Sequence, residues 1–241
     1  MASTSKRRKH EPKSKSLLHI AVVCSSNMNR SMEAHAFLSK KGYNVDSYGT
    51  GDKVKLPGPT ADKPNIYEFG TSYEEIYTDL SRRDKIMYTQ NGILNMLDRN
   101  RRIKKGPQRL QDTKKIYDII FTAEERVYDQ VLEHFSSDTC SISNQPVHVI
   151  NVDIQVQIIG FYPSILINQP LYESVSLTRV LTEDFNVLQD NHEEATIGAF
   201  MMFELMSILA KSTDIDDDID ELLQDFESKC NRPILHTIVF Y

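Results

Sequence analysis

Apolar residues follow two rhythms along the chain. Leu17–Val23 runs almost without a polar break, as in a strand covered on both faces. The run ends in Cys-Ser-Ser-Asn-Met-Asn, after which Arg30–Leu38 takes helical spacing and Gly42 marks the helix end. Asn44–Tyr48 reads as a second short strand, and Gly49-Thr50-Gly51 and Leu56-Pro57-Gly58-Pro59 punctuate a loop. Helical periodicity returns in two pieces, around Tyr73–Tyr88 and Ile93–Leu97, before a basic, loop-like stretch at Arg99–Arg109. Ile116–Phe121 and Val147–Ile154 read as strands with a helix, Glu124–Phe135, between them. A long apolar helix (Glu193–Ala210), an acidic amphipathic helix (Ile215–Cys230) and a strand (Ile234–Tyr241) follow. Strands alternating with helices predict an α/β fold, with a doubly wound, mostly parallel sheet flanked by helices.

Charge changes this picture at the N-terminus. Residues 1–15 hold Lys6, Arg7, Arg8, Lys9, Lys13 and Lys15 against Glu11, a net +5, so a chain of −6 leaves −11 on residues 16–241. Residues 1–15 therefore read as a disordered basic tail, either a nuclear-import signal or a solvated extension, and 16–241 as one domain. A body this acidic argues against nucleic acid as the direct ligand. No apolar run approaches the roughly 18 residues of a membrane span, and the N-terminus lacks the apolar core of a secretory signal. The three cysteines point to a reducing compartment. No CxxC or HExxH spacing occurs, so no metal centre is expected.

The chemistry concentrates at the first strand-to-helix turn. Cys24-Ser25-Ser26-Asn27-Met28-Asn29-Arg30-Ser31 is C-x5-R-S. Five intervening residues let the loop curl so that successive N–H groups face one anion, and the following helix adds its positive end. Residues 25–31 are thus the expected phosphate cradle. Arg30 closes it with a planar fork suited to two phosphoryl oxygens. The same field favours the thiolate of Cys24, a nucleophile, and Ser31 can donate to that sulfur. Asn27 tolerates the left-handed backbone such a curl needs.

Five stretches, the loop's own among them, carry a likeness: Val22–Asn27 with Asn29–His35, Val54–Pro59, Tyr88–Leu94, Glu124–Val131 and Asp190–Thr196. Over residues 17–155 and 190–241 the chain resembles the Ssu-type phosphatases, which act on the C-terminal repeat domain of RNA polymerase II. These are relatives of the low-molecular-weight protein tyrosine phosphatases. The resemblance implies a low-molecular-weight-phosphatase-like fold, no cofactor, and removal of phosphate from serine 5 of the heptad repeat, with the next proline cis, through a cysteinyl-phosphate. It implies Cys24 as nucleophile, Arg30 on the phosphoryl oxygens and Asp190 as general acid, then base. It matches Lys55, Leu56, Pro57, Gly58 and Pro59 to a substrate loop, with Tyr88 and Met96 as walls of a proline pocket. It also implies a symplekin-like scaffold partner, a role in mRNA 3′-end processing and transcription termination, and the nucleus. Without the resemblance, Asp153 at a strand end is the preferred acid, and it stays an accessory candidate.

Val156–Gln189 departs from that family, which joins the flanking stretches directly. This insertion has 34 residues, 17 of them apolar, and no Lys. It opens with Val and closes with Gln, whose codons can carry the GT and AG of intron ends, so it reads as translated intron or as a lineage-specific loop. A segment set just before Asp190 leaves a slow, phosphopeptide-binding scaffold as the alternative function. A tyrosine phosphatase is discounted because no Asp-Pro dipeptide occurs, and an arsenate reductase because nearby resolving cysteines are lacking.

Overall fold

Strand β1, His19–Cys24, buries every residue but His19, and its side chains alternate between two cores. Ile20 and Val22 face one, Ala21 and Val23 the other. In the computed structural model, which describes residues 18–60, 62–137, 144–153 and 186–241 (side chains from 193 in the last stretch), β1 is second in a five-stranded sheet. Helix α1 (Arg30–Lys40) leads from it to β2 (Asn44–Gly49). Then come a hairpin of β3 (Val54–Leu56) and β4 (Asn65–Tyr67), helices α2 (Tyr73–Gln90) and α3 (Ile93–Ile103), and strand β5 (Ile119–Thr122). Helix α4 (Glu125–Ser136), strand β6 (Pro146–Val152), helices α5 (Asn186–Leu209) and α6 (Ile215–Cys230), and strand β7 (Ile234–Phe240) complete the order. The sheet runs β2-β1-β5-β6-β7, parallel throughout except for β7. This is the doubly wound, mostly parallel sheet expected from the alternation of elements.

One sheet face packs on α1, α5 and α6 through Leu38, Met202, Leu205 and Phe226. The other packs on α4 through Val127 and Val131. A third core joins Met28 and Met32 to α2 and α3, and so ties the nucleophile loop to the helical layer.

Three expectations are corrected. The loop around Leu56–Pro59 contains the β3–β4 hairpin, whose three-residue strands are too short for an alternation to register. Arg99–Ile103 is helical, the last part of α3; its arginines pair with Glu33, Glu74 and Asp98 while Asn100 faces inward, fully buried. Helix α5 starts at Asn186 rather than Glu193, so the last four residues of the expected insertion and the His192-Glu193-Glu194 run lie inside a helix.

Where α1 meets β2, His35 is held neutral. Ser47 gives its hydroxyl proton to Met32 Sδ at 3.1 Å, so His35 Nδ1–H donates to Ser47 Oγ at 2.9 Å. Burial, then the Lys104 ammonium, pushes His35 down to about 4. Between that value and about 6.5 the unfolded chain binds the extra proton, so stability is lost as pH falls through this window. From pH 7 to 4.5, denaturant unfolding of the His35→Gln variant should lose about 2 kcal/mol less than wild type.

Candidate active site

The nucleophile loop leaves β1 at the C-terminal edge of the parallel strands, where ligands bind in sheets of this kind. Neighbouring elements hold its carbonyls. Thr50 N–H donates to Cys24 O at 3.1 Å and Gly51 N–H to Ser25 O at 3.0 Å. Tyr73 Oη donates to Asn27 O at 2.7 Å, and burial pushes the Tyr73 phenol up, which keeps it a donor. Asn100 Nδ2 donates to Met28 O at 2.7 Å, while Arg99 Nη2 reaches Met28 O and Asn29 O at 3.2 and 3.4 Å. Arg99 itself is anchored on Glu33.

These braces orient the loop. In a trans peptide the C=O and the following N–H point to opposite sides. Carbonyls fixed on Thr50, Gly51, Tyr73, Asn100 and Arg99 therefore turn the N–H groups of Ser25, Ser26, Met28, Asn29 and Arg30 away from those braces. A cavity of about 300 Å³ opens where no brace stands, lined by Cys24, Ser25, Ser26, Met28, Asn29 and Arg30 of the loop. Its other walls are Lys55, Leu56 and Pro57, the start of α3 with Met96, and Glu124 and Arg126. Oriented amides at the N-terminal end of α1 make this an anion-binding concavity.

The loop can approach β2 so closely because position 49 lacks a side chain. A Cβ on Gly49 would lie 2.7 Å from Ser25 O and 3.0 Å from Asn27 N. Asn27 has φ 53°, the left-handed region. Asn27 and Ser31 are fully buried. Their side chains lie beneath the cavity floor, with Asn27 Nδ2 3.0 Å from Ser31 Oγ and Ser31 Oγ 3.0 Å from Cys24 Sγ.

Arg30 is held by acids that motif spacing did not single out. Its Nη1 donates to Glu124 Oε2 at 2.9 Å, and its Nη2 lies 3.8 Å from Glu194 Oε2. Arg126 reaches Ser25 Oγ at 3.3 Å and Glu124 Oε1 at 3.5 Å. Glu124 is the residue before α4, at the end of β5 on the same sheet edge as Cys24.

The residues matched to a substrate loop divide. Lys55, Leu56, Pro57 and Met96 line the cavity; Gly58 and Pro59 do not. Gly58 is needed because a Cβ there would sit 1.7 Å from Lys63 O. Tyr88, expected as a pocket wall, is 2% exposed and lies behind the loop. Asn65 Nδ2 donates to both Tyr88 Oη and Pro57 O at 2.8 Å, so Tyr88 supports the loop from the core. Asp153 follows β6 at the cavity edge of the sheet without lining the cavity. Asp190 lies on α5 one turn before Glu194; its side chain, like the basic tail and most of 156–189, lies outside the described residues. Among the described residues no group of three metal-ligating side chains occurs, and no helix is long and apolar enough to cross a membrane.

Comparison with known proteins agrees with this geometry. The RNA polymerase II C-terminal domain phosphatase SSU72 of Gallus gallus is 52% identical over 227 residues, covering 93% of this chain and 97% of that one. The ssup-72 phosphatase of Caenorhabditis elegans is 47% identical over 94% of this chain and 98% of its own. A crystal structure of the Drosophila melanogaster RNA polymerase II serine phosphatase superposes with a TM-score of 0.76, at 54% identity, over 93% of this chain and all of that one. Drosophila Ssu72 with symplekin and a cis peptidomimetic phospho-Ser5 peptide gives 0.75 at 52% identity, over 95% of this chain and all of that one. The family model described as Ssu72-like protein matches residues 18–158 and 173–241, leaving 159–172 unmatched within the segment read as an insertion. On the braced cysteine loop, the sheet and this match over most of its length, the chain belongs to the Ssu72-like family.

Proposed function

We propose that the chain is a protein serine phosphatase that removes phosphate from serine 5 of the RNA polymerase II C-terminal repeats, using Cys24 as nucleophile. The observation that carries this reading is the set of loop carbonyls braced from outside around the cavity, which by peptide geometry leaves the loop N–H groups turned away from the braces. Those N–H groups match a phosphoryl group whose charge rises in the transition state. Cys24 Sγ attacks phosphorus as the bond from phosphorus to the serine oxygen breaks. Asp190 gives that oxygen its proton, because an alkoxide is a poor leaving group. Asp190 then takes a proton from water, which cleaves the S–P bond and releases phosphate and the thiolate. Its place one turn before Glu194, whose carboxylate lies 3.8 Å from Arg30, supports this role.

Leu56, Pro57 and Met96 supply an apolar wall beside the phosphate subsite, suited to the cis proline after the phosphoserine. The relatives' names and the solved symplekin complex support the polymerase repeat as substrate, a symplekin-like scaffold as partner, and the nucleus as the place of action in mRNA 3′-end processing and termination. Residues 16–241 are read as one phosphatase domain with an insertion ahead of α5 and a basic tail before it. The test is phosphate release from heptad peptides phosphorylated at serine 5 or at serine 2. A preference for serine 5 of at least about tenfold is expected; proline follows both serines, so the discrimination comes from the residues that flank each Ser-Pro pair. Equal rates on both peptides would remove the assigned substrate.

A further inference from the structure

Gln108, in the turn after α3, joins the nucleophile loop through a main-chain group. Its N–H donates to Asn27 Oδ1 at 3.1 Å. A main-chain nitrogen can only donate, so this contact fixes which end of the Asn27 amide is oxygen. The amide nitrogen must then be the group that faces Ser31 Oγ at 3.0 Å, and it too can only donate. Ser31 Oγ therefore accepts from Asn27 and keeps its own proton for Cys24 Sγ, 3.0 Å away. A donor aimed at the sulfur favours its charged form over the thiol.

We propose that the Gln108 main-chain N–H is a positioning group that sets the direction of the hydrogen bonds from Asn27 through Ser31 to Cys24, and so holds the sulfur ready to react. This rests on Cys24 being the nucleophile. The segment is built for constancy of position. Gly49 N–H donates to Gln108 O at 2.8 Å, Lys104 Nζ to Gln108 Oε1 at 3.0 Å, and Gly70 N–H to Pro107 O at 3.1 Å. A Cβ on Gly106 would lie 2.8 Å from Thr71 O, so the turn is seated tightly against the start of α2. Other charges also face the sulfur. Arg30, Lys55, Glu124 and Arg126 do so from the cavity, with Glu194 behind Arg30. Arg99 with its partner Glu33, Lys104 and the Tyr73 phenol do so from beneath. All of these stay in place when only the Gln108 N–H is removed.

The experiment is the pH dependence of Cys24 alkylation by iodoacetamide on the full chain, with circular dichroism as the check on folding. Gln108→Pro deletes the N–H and should raise the alkylation midpoint by about one pH unit, with a tenfold slower reaction below it. Gln108→Ala keeps the N–H and should leave the midpoint within about 0.3 unit. Ser31→Ala should raise it as Gln108→Pro does, and the double variant should go no further, because both changes cut one chain of bonds. Where proline unfolds the chain, exchanging the Gln108 amide for an ester through its α-hydroxy acid makes the same deletion. A folded N–H-deleted protein with the wild-type midpoint overturns the proposal, as does a double variant whose shift is the sum of the two. Phosphatase turnover surviving in Cys24→Ser would instead strike the nucleophile assignment and leave the alkylation result standing.

Discussion

Cys24→Ser is expected to lower phosphopeptide turnover by on the order of 10⁵-fold while phosphate binding is retained or tightened. The two halves of this result have separate causes. Turnover needs a group that forms a bond to phosphorus, and a serine hydroxyl does not ionise in this range. Binding needs the amides that the outer braces turn inward, and these are indifferent to the atom at Cys24. In the proposed mechanism the attacking sulfur carries a negative charge, and a neutral hydroxyl in its place removes that charge from beside the incoming dianion. Release of phosphate from a serine-5 peptide and calorimetric titration with inorganic phosphate give the two readings. Turnover above about a hundredth of wild type would exclude a cysteinyl-phosphate.

Arg30→Lys is expected to lower kcat/KM by about 10²- to 10³-fold on phosphopeptide and aryl phosphate alike. The guanidinium can meet Glu124 and Glu194 with its two outer nitrogens and still offer donors in one plane to a phosphoryl group. An ammonium has no plane, and two carboxylates already compete for it. The equal loss on both substrates is the informative part. In the proposed mechanism Arg30 acts on the transferred group, whose charge is common to both, whereas a general acid acts on the leaving oxygen and matters far less for a phenol. Steady-state kinetics on a serine-5 peptide and on p-nitrophenyl phosphate check it, and a loss confined to the peptide would assign Arg30 to peptide recognition.

The parallel core was legible because its strands are buried on both faces and read as unbroken apolar runs; β1 and β6 are the clearest. The cysteine loop was legible because its function imposes contiguous spacing. What holds the loop was not. Gly49, Tyr73, Arg99, Asn100 and Gln108 each touch it from outside the motif, and only the fold gathers them. Arg99 and Asn100 were further hidden because Arg99, Arg101 and Arg102, crowded around Asn100, read as a solvated loop. The chain there is a helix whose polar face meets Glu33, Glu74 and Asp98. One signal was available: a buried asparagine costs about 1–3 kcal/mol when unpaired, so Asn100 one turn from apolar Leu97 implied an acceptor to satisfy, and Met28 O is that acceptor. Glu124 at the end of β5 likewise sat at a sheet edge where sites gather, and only its ion pair with Arg30 gave it a role.

The order of strands carries a consequence for how fast the chain folds. Ile150 on β6 pairs on one side with Phe121, 29 positions earlier, and on the other with His236, 86 positions later. The second pairing must wait for everything between β6 and β7 to be brought round. Closing a longer loop adds only about 0.6 kcal/mol per doubling, so the finished sheet hardly registers extra length in the 153–233 connection. The search for the pairing does register it, since long-range contacts dominate the time to fold. Extra residues between β6 and α5 thus weigh on the rate at which this phosphatase matures more than on its stability once mature.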